Sequence, residues 1–169
     1  MAKYYPTSDD ISLLVSRGLV TKTSFIHKFG AVPAMSVNTT GTIWDKNDTV
    51  YPWSAWDTAG VLNVDAASAS DIGKTITIEG LDENYDIQTE SILISVQSNN
   101  TGIKSFKRIF SAYCSDGTSN VGNITIQRGT TDVAIILAGK AQTLMAIYTI
   151  PAGHTGYLYK GTCSAQAGA

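Results

Sequence analysis

The run KTITIE at residues 74–79 alternates apolar and polar side chains with a period of two, which places Ile76 and Ile78 on one face of an extended chain. Such alternation suits a strand buried on one side and excludes an amphipathic helix, whose apolar positions recur every three or four residues. The pattern returns along the chain. Residues 88–96 place Ile92, Ile94 and Val96 on one face, Ser105–Cys114 makes a longer strand, and Asn123–Gln127 alternates again. Val133–Ala138, Leu144–Ile150 and Gly156–Cys163 complete the series. Between them lie GLDENYD, SNNTG, SDGTSNVG, RGTTD, LAGKAQ and PAGHTG, all rich in turn-forming residues. Strands at this spacing, with no second helical pattern, predict an all-β fold over residues 41–169, an antiparallel β-sandwich or barrel.

At 169 residues the chain fits one domain, and 43% hydrophobic residues suffice for a core. Only 15% of residues are charged, so polarity rests on hydroxyls and amides, which suits strands and turns. The formal net charge is -2 and the arginines are Arg17, Arg108 and Arg128 alone; with no basic stripe to neutralise phosphates, no nucleic-acid partner is expected. The longest apolar stretch, Val133–Ala138, falls far short of the ~20 residues of a membrane span, so no membrane partner is expected either. The opening MAKYYPTSDD lacks the charged-then-apolar pattern of a secretion signal, so Cys114 and Cys163 are expected as reduced thiols rather than a bridge.

Residues 1–40 read as an N-terminal arm. Ser8 suits a helix cap, Asp9 and Asp10 suit its first turn, and Ile11, Leu14 and Val15 share one face ahead of Gly18, which predicts a short helix over 9–17. A helix that short does not persist alone, so its apolar face must dock on the chain's own body or on a neighbouring subunit. Residues 21–40 show neither period; Phe25, Phe29 and Met35 are expected to plug an extended arm into a surface.

His27 lies in the arm and His154 in the loop PAGHTG, and no G-x-S-x-G elbow accompanies them; the loop reads as turn chemistry and no catalytic residue is expected. Asp82-Glu83-Asn84-Tyr85-Asp86 begins like a calcium loop, but Ile87 and Leu93 stand where its glycine and glutamate belong, so a hairpin turn is expected and no metal. Glu79 and Glu90 are the one glutamate pair that a hairpin at 82–86 brings face to face, and a cross-strand surface pair is the expectation. No cofactor motif occurs. Trp44, Trp53 and Trp56 crowd into IWDKNDTVYPWSAW; they are expected at one end of the core or at an intersubunit contact, with a glycan-stacking surface as the alternative. In Leu144–Ile150, Leu144, Ala146, Tyr148 and Ile150 point one way and Met145 and Ile147 the other, so this strand is expected to be covered on both sides. Met145, Ile147, Tyr157 and Tyr159 then face either a second sheet of the same chain or another copy.

Four stretches together, SFIHKFGAVPAMSVNTTGTIWD, TITIEGLDENYD, FKRIFSAYCSDGTSNVGNITIQ and AQTLMAIYTIPAGHTGYLYKGT, resemble structural (virion) proteins of tailed bacteriophages, notably those of marine bacteria and cyanobacteria. The resemblance spans nearly all of residues 24–163. It implies a non-enzymatic particle component: a capsid decoration (cement) protein with a jelly-roll-like β-sandwich. Such a protein binds the major capsid protein or other virion proteins as a homo-oligomer, here expected to be a trimer, and belongs to the virion after assembly in the host cytoplasm. The alternative within the same resemblance is a neck, tail or fibre-associated protein that binds host glycans. Relatives of this kind continue past GTCSAQAGA with more strands, so a sheet completed by another chain, or simply a shorter one, is expected.

Overall fold

The computed structural model describes residues 11–32, 35, 36, 38–46 and 49–165. They fall into two compact units, one within 1–27 together with 156–169, the other within 28–155. The compact body thus begins at Lys28, ahead of the Gly41 at which the strand pattern begins.

The body is an all-β sandwich of two antiparallel sheets. Its strands are β1 (Asn63–Ala66), β2 (Thr75–Leu81), β3 (Ile87–Leu93), β4 (Asn100–Thr101), β5 (Arg108–Cys114), β6 (Ile124–Arg128) and β7 (Thr131–Ile136). The first sheet runs β4-β1-β6-β7 and the second β3-β2-β5. Period-two alternation lines the space between them. Val64, Ile124, Ile126 and Ile136 from one sheet join Ile76, Ile78, Ile92 and Ala112 from the other in one buried cluster. A hairpin at 82–86 joins β2 to β3: the Asp82 carboxylate accepts the amides of Asn84 (2.8 Å) and Asp86 (2.9 Å), the local bonding that makes Asp a turn residue. Gly129, at φ 63°, turns the chain between β6 and β7 in a conformation other residues adopt at a cost.

A register shift between Glu79 and Gly80 leaves Phe110 as an extra residue on β5. The Lys28 ammonium covers the Phe110 carbonyl at 2.5 Å, and the Phe110 ring stacks on Tyr148 with centroids 4.5 Å apart. The bulge is therefore held by segments that belong to neither sheet.

Several expectations change. β1 and β4 are too short to have shown a pattern, and strands β3 and β7 end at Leu93 and Ile136, short of Val96 and Ala138. Val96 points to solvent, 53% exposed. Leu144–Ile150 and Gly156–Cys163 form no strands. Around Leu144 the chain is extended, yet its hydrogen bonds go to different neighbours in turn: Ala31 donates to the Leu144 carbonyl, the Leu144 amide donates to the Asp45 carboxylate, and Ala146 donates to Ile43. No single strand lies alongside for long enough to build a ladder. Gly30 packs so closely here that a Cβ would sit 2.6 Å from the Ala146 nitrogen. The segment nonetheless alternates. Met145 and Ile147 are buried in the chain's own core, while Ala146 and Ile150 are exposed and Leu144 and Tyr148 half-buried, so the second face is only partly covered. The helix is α1, Ile11–Ser16; Ser8, Asp9 and Asp10 lie outside the described residues.

Met145 is 2% exposed and Leu158 93% exposed, although the sequence pattern treats their segments alike. Met145→Ala is expected to cost about 2–5 kcal/mol of stability, the price of a core cavity, and Leu158→Ala less than about 0.5 kcal/mol. Urea denaturation of the two variants checks the contrast.

Candidate interaction surfaces

A two-sheet sandwich leaves strand edges along two seams, and unpaired edges are where other chains attach. The seam along β5 is closed by the chain itself. Cys114 donates to Ala141, Thr143 donates to Ala112, and the Ala112 amide donates back to the Thr143 hydroxyl (3.1 Å), so residues 141–143 run along the free edge of β5. Beyond them, Asp45 holds Leu144. An aromatic plug closes this end of the core: the Trp56 indole donates to the Tyr51 hydroxyl at 3.1 Å, Trp44 donates to the Thr49 carbonyl at 3.1 Å, and the Trp44 and Tyr51 rings meet edge to face at 5.0 Å.

The other seam, between β3 and β4, is held by side chains. The Glu90 carboxylate reaches across from β3 and accepts the amides of Ile103 (2.6 Å) and Lys104 (3.1 Å) just beyond β4. Lys104 returns the contact, its ammonium donating to the Thr89 carbonyl at 2.7 Å, and Gln88 donates to the Ser105 carbonyl at 2.6 Å. Glu90 Oε2 is buried and lacks a hydrogen-bond partner, and it lies where a side chain on Gly102 would begin, 2.6 Å from the position of a Cβ. Past this clamp the edges part around an open groove of about 530 Å³. Asn100 fixes the far wall: its carbonyl oxygen accepts both Ser95 groups and the Val96 amide, and its amide donates to Val64 and Val96.

Glu90 does not pair with Glu79. The register sets Glu90 opposite Ile78 and Glu79 opposite Thr89, so the two carboxylates lie on opposite faces, and Glu79 accepts the Ser111 hydroxyl at 3.0 Å. The signal for Glu90 was present in the sequence. It falls in step with Ile92 and Ile94, where an inward position calls for an apolar residue.

The other candidates divide sharply. Trp44, Trp56, Met145 and Ile147 belong to the chain's own core and offer no surface to a partner, because the cluster between the sheets already covers them. Trp53 is 44% exposed, with the Arg108 guanidinium 5.9 Å from its ring centroid and equally close to Tyr85. In the unit of terminal segments Leu14 and Val15 are half-buried, whereas Ile11, Phe25, Tyr157 and Tyr159 are exposed. Phe29 and Met35, in the first residues of the body, are exposed as well. His154 closes a turn with Pro151 and Gly153, and its Nδ1 lies 2.8 Å from the Ala152 carbonyl. Among the described residues no cluster of His, Cys, Asp or Glu has the makings of a metal site, and no helix is long and apolar enough to cross a membrane. Comparison with protein-family models, curated proteins and solved structures finds no match to this chain.

One polar group in the closed seam titrates in an accessible range. Burial pushes the Asp45 carboxyl from its ordinary 3.8 up to about 6, against the opposing pull of the Leu144 amide and Lys140. The folded chain then holds a proton that the unfolded chain has released, so this group's contribution to stability falls as pH rises from 3.8 to about 6. Asp45→Asn removes the titration and keeps an acceptor for Leu144. Thermal melts at pH 4 to 7 are expected to show the variant gaining on the parent protein as pH rises through that window.

Proposed function

We propose that this chain is a non-enzymatic structural protein of a bacteriophage particle, a capsid decoration (cement) protein that binds the shell as a homotrimer beside the major capsid protein. The phage particle comes from the resemblance of residues 24–163; the mode of action comes from where the apolar surface lies. Ile11, Leu19, Phe25 and Ile26 near one end of the sequence and Tyr157 and Leu158 near the other are 47–93% exposed, on segments whose described residues form one six-residue helix and no strand. Large apolar groups gathered on such segments are what a clasp between subunits needs, since the body has a core of its own. The jelly-roll-like architecture goes with this reading, as does a place in the virion.

The neck, tail or fibre alternative, a module for host glycans, has one observation in its favour: Trp53, exposed beside Arg108 and Tyr85. Burial of Trp44 and Trp56 takes away the other rings on which a sugar would stack. The decoration reading is therefore preferred.

Mass spectrometry of gradient-purified particles is expected to find this chain, and light scattering on the purified protein is expected to give three times the 18.0 kDa chain mass. Phe25→Ser combined with Ile26→Ser is expected to abolish particle binding without lowering the melting temperature of the body. A monomeric parent protein missing from the particles would overturn the proposal.

A further inference from the structure

The seven residues of β3 form an edge of their sheet, and in an antiparallel strand the backbone groups face alternate sides. Glu90 and Ile92 stand opposite Ile78 and Ile76 of β2, and Ile94 keeps that phase by donating to the Lys74 carbonyl. By alternation the backbone groups of Ser91 and Leu93 face away from β2, toward the groove. The side-chain clamp covers only the first half of this edge, where Gln88 donates to the Ser105 carbonyl and Lys104 donates to the Thr89 carbonyl. Ser91 and Leu93 lie beyond it.

Side chains alternate between the two faces of the sheet on the same period. Ser91 and Leu93 point outward, Leu93 54% exposed, whereas Glu90 and Ile92 point between the sheets, 7% and 6% exposed. All four line the groove, whose volume of about 530 Å³ falls within the range of ligand sites. Glu90 is the exception to an apolar interior. One of its oxygens takes the Ile103 and Lys104 amides, while Oε2 is buried without a donor. A buried acceptor left unpaired destabilises by more than a typical hydrogen bond contributes. No cation of the chain relieves it: among the described residues the ion pairs are Lys46 with Asp132 and Lys74 with Asp116, and the Lys104 ammonium is engaged by Thr89.

We propose that this groove binds an extended peptide segment of a partner protein, paired with β3 at Ser91 and Leu93 and carrying a lysine or arginine opposite Ile92. An added strand satisfies the outward backbone groups of the edge, the usual way an exposed edge is recognised. Residues directly opposite each other share a face, so the basic residue points inward with Ile92. Glu90 is its diagonal neighbour on that same face, about 7–8 Å away, a span that a long side chain covers. The ammonium or guanidinium then supplies the donor that Glu90 Oε2 lacks. The flanking residues of the peptide point outward, where an apolar one opposite Leu93 covers that exposed side chain. Charge and apolar cover are thus delivered to opposite faces of β3, each from the phase that reaches it. An acidic residue in the inward position would instead set like charges together. The recognition follows from the seam alone and holds whether or not the chain belongs to a particle.

The test titrates the full-length, 15N-labelled protein with two acetylated and amidated pentapeptides, Thr-Val-Lys-Val-Thr and the same sequence with norleucine for lysine, which keeps the apolar stem and removes the charge. Amide resonances of Ser91 and Leu93 are expected to shift, and the lysine peptide is expected to bind at least about 10-fold more tightly than the norleucine peptide. Glu90→Gln keeps an oxygen for the Ile103 and Lys104 amides and is expected to remove that preference. Leu93→Lys leaves the clamp untouched and is expected to weaken the lysine peptide at least about 10-fold, with the melting temperature unchanged. Shifts confined to other residues, or none with either peptide at millimolar concentration, overturn the proposal. Equal binding of the two peptides to the parent protein overturns the role of Glu90 and with it the basic partner. Butylamine that moves the same amides with the affinity of the lysine peptide overturns strand pairing and leaves a site for small amines.

Discussion

Exposed strand edges are the constraint around which this molecule is organised. A β-sandwich of short strands can bury an apolar interior, but its seams expose backbone groups that invite other chains. This protein meets the problem in two ways. Along β5 it lays its own backbone over the edge, with residues 141–143 taking the hydrogen bonds and Met145 and Ile147 extending the core. Along β3 and β4 it relies on one carboxylate, Glu90, which satisfies the Ile103 and Lys104 amides at once. A buried carboxylate accepting charge-assisted bonds is strong where it reaches and does nothing beyond. The groove begins where that reach ends.

The closed seam is costly in polar terms, and its details show how the cost is offset. Asp45 is 2% exposed and one of its oxygens finds no partner, yet the other holds the Leu144 amide that a sheet would otherwise have paired. Lys28, whose ammonium burial makes easier to deprotonate, covers the carbonyl freed by the β5 bulge. Both side chains come from the stretch before the first strand. That stretch is part of the compact body from Lys28 onward.

Legibility in the sequence followed the strength of the local period. Ile76, Ile78, Ile92, Ile94 and Ile124 all fell where alternation put them, because a strand buried on one face repeats its signal every two residues. β1 and β4, with four and two residues, leave no such signal, and SNNTG read as a turn although Asn100 within it is a buried hub. The segments 144–150 and 156–163 misled in an instructive way. Their composition is that of strands, but a strand exists only where a neighbour lies alongside, and neighbours are a property of the tertiary fold. For Met145 and Ile147 the apolar period still reported burial correctly. For Tyr157 it reported a preference that the chain by itself leaves unmet. Glu90 was visible as a polar residue in an inward phase, whereas its partners, the Ile103 and Lys104 amides 13 and 14 residues further on, were not.

Hydrogen–deuterium exchange measured across a range of protein concentrations addresses assembly through terminal segments most directly. The amides of residues 19–26 and those of residues 157 and 158 are predicted to gain protection together as concentration rises, while the core amides of β2 stay constant. Equal exchange at both places from the most dilute to the most concentrated sample would contradict it.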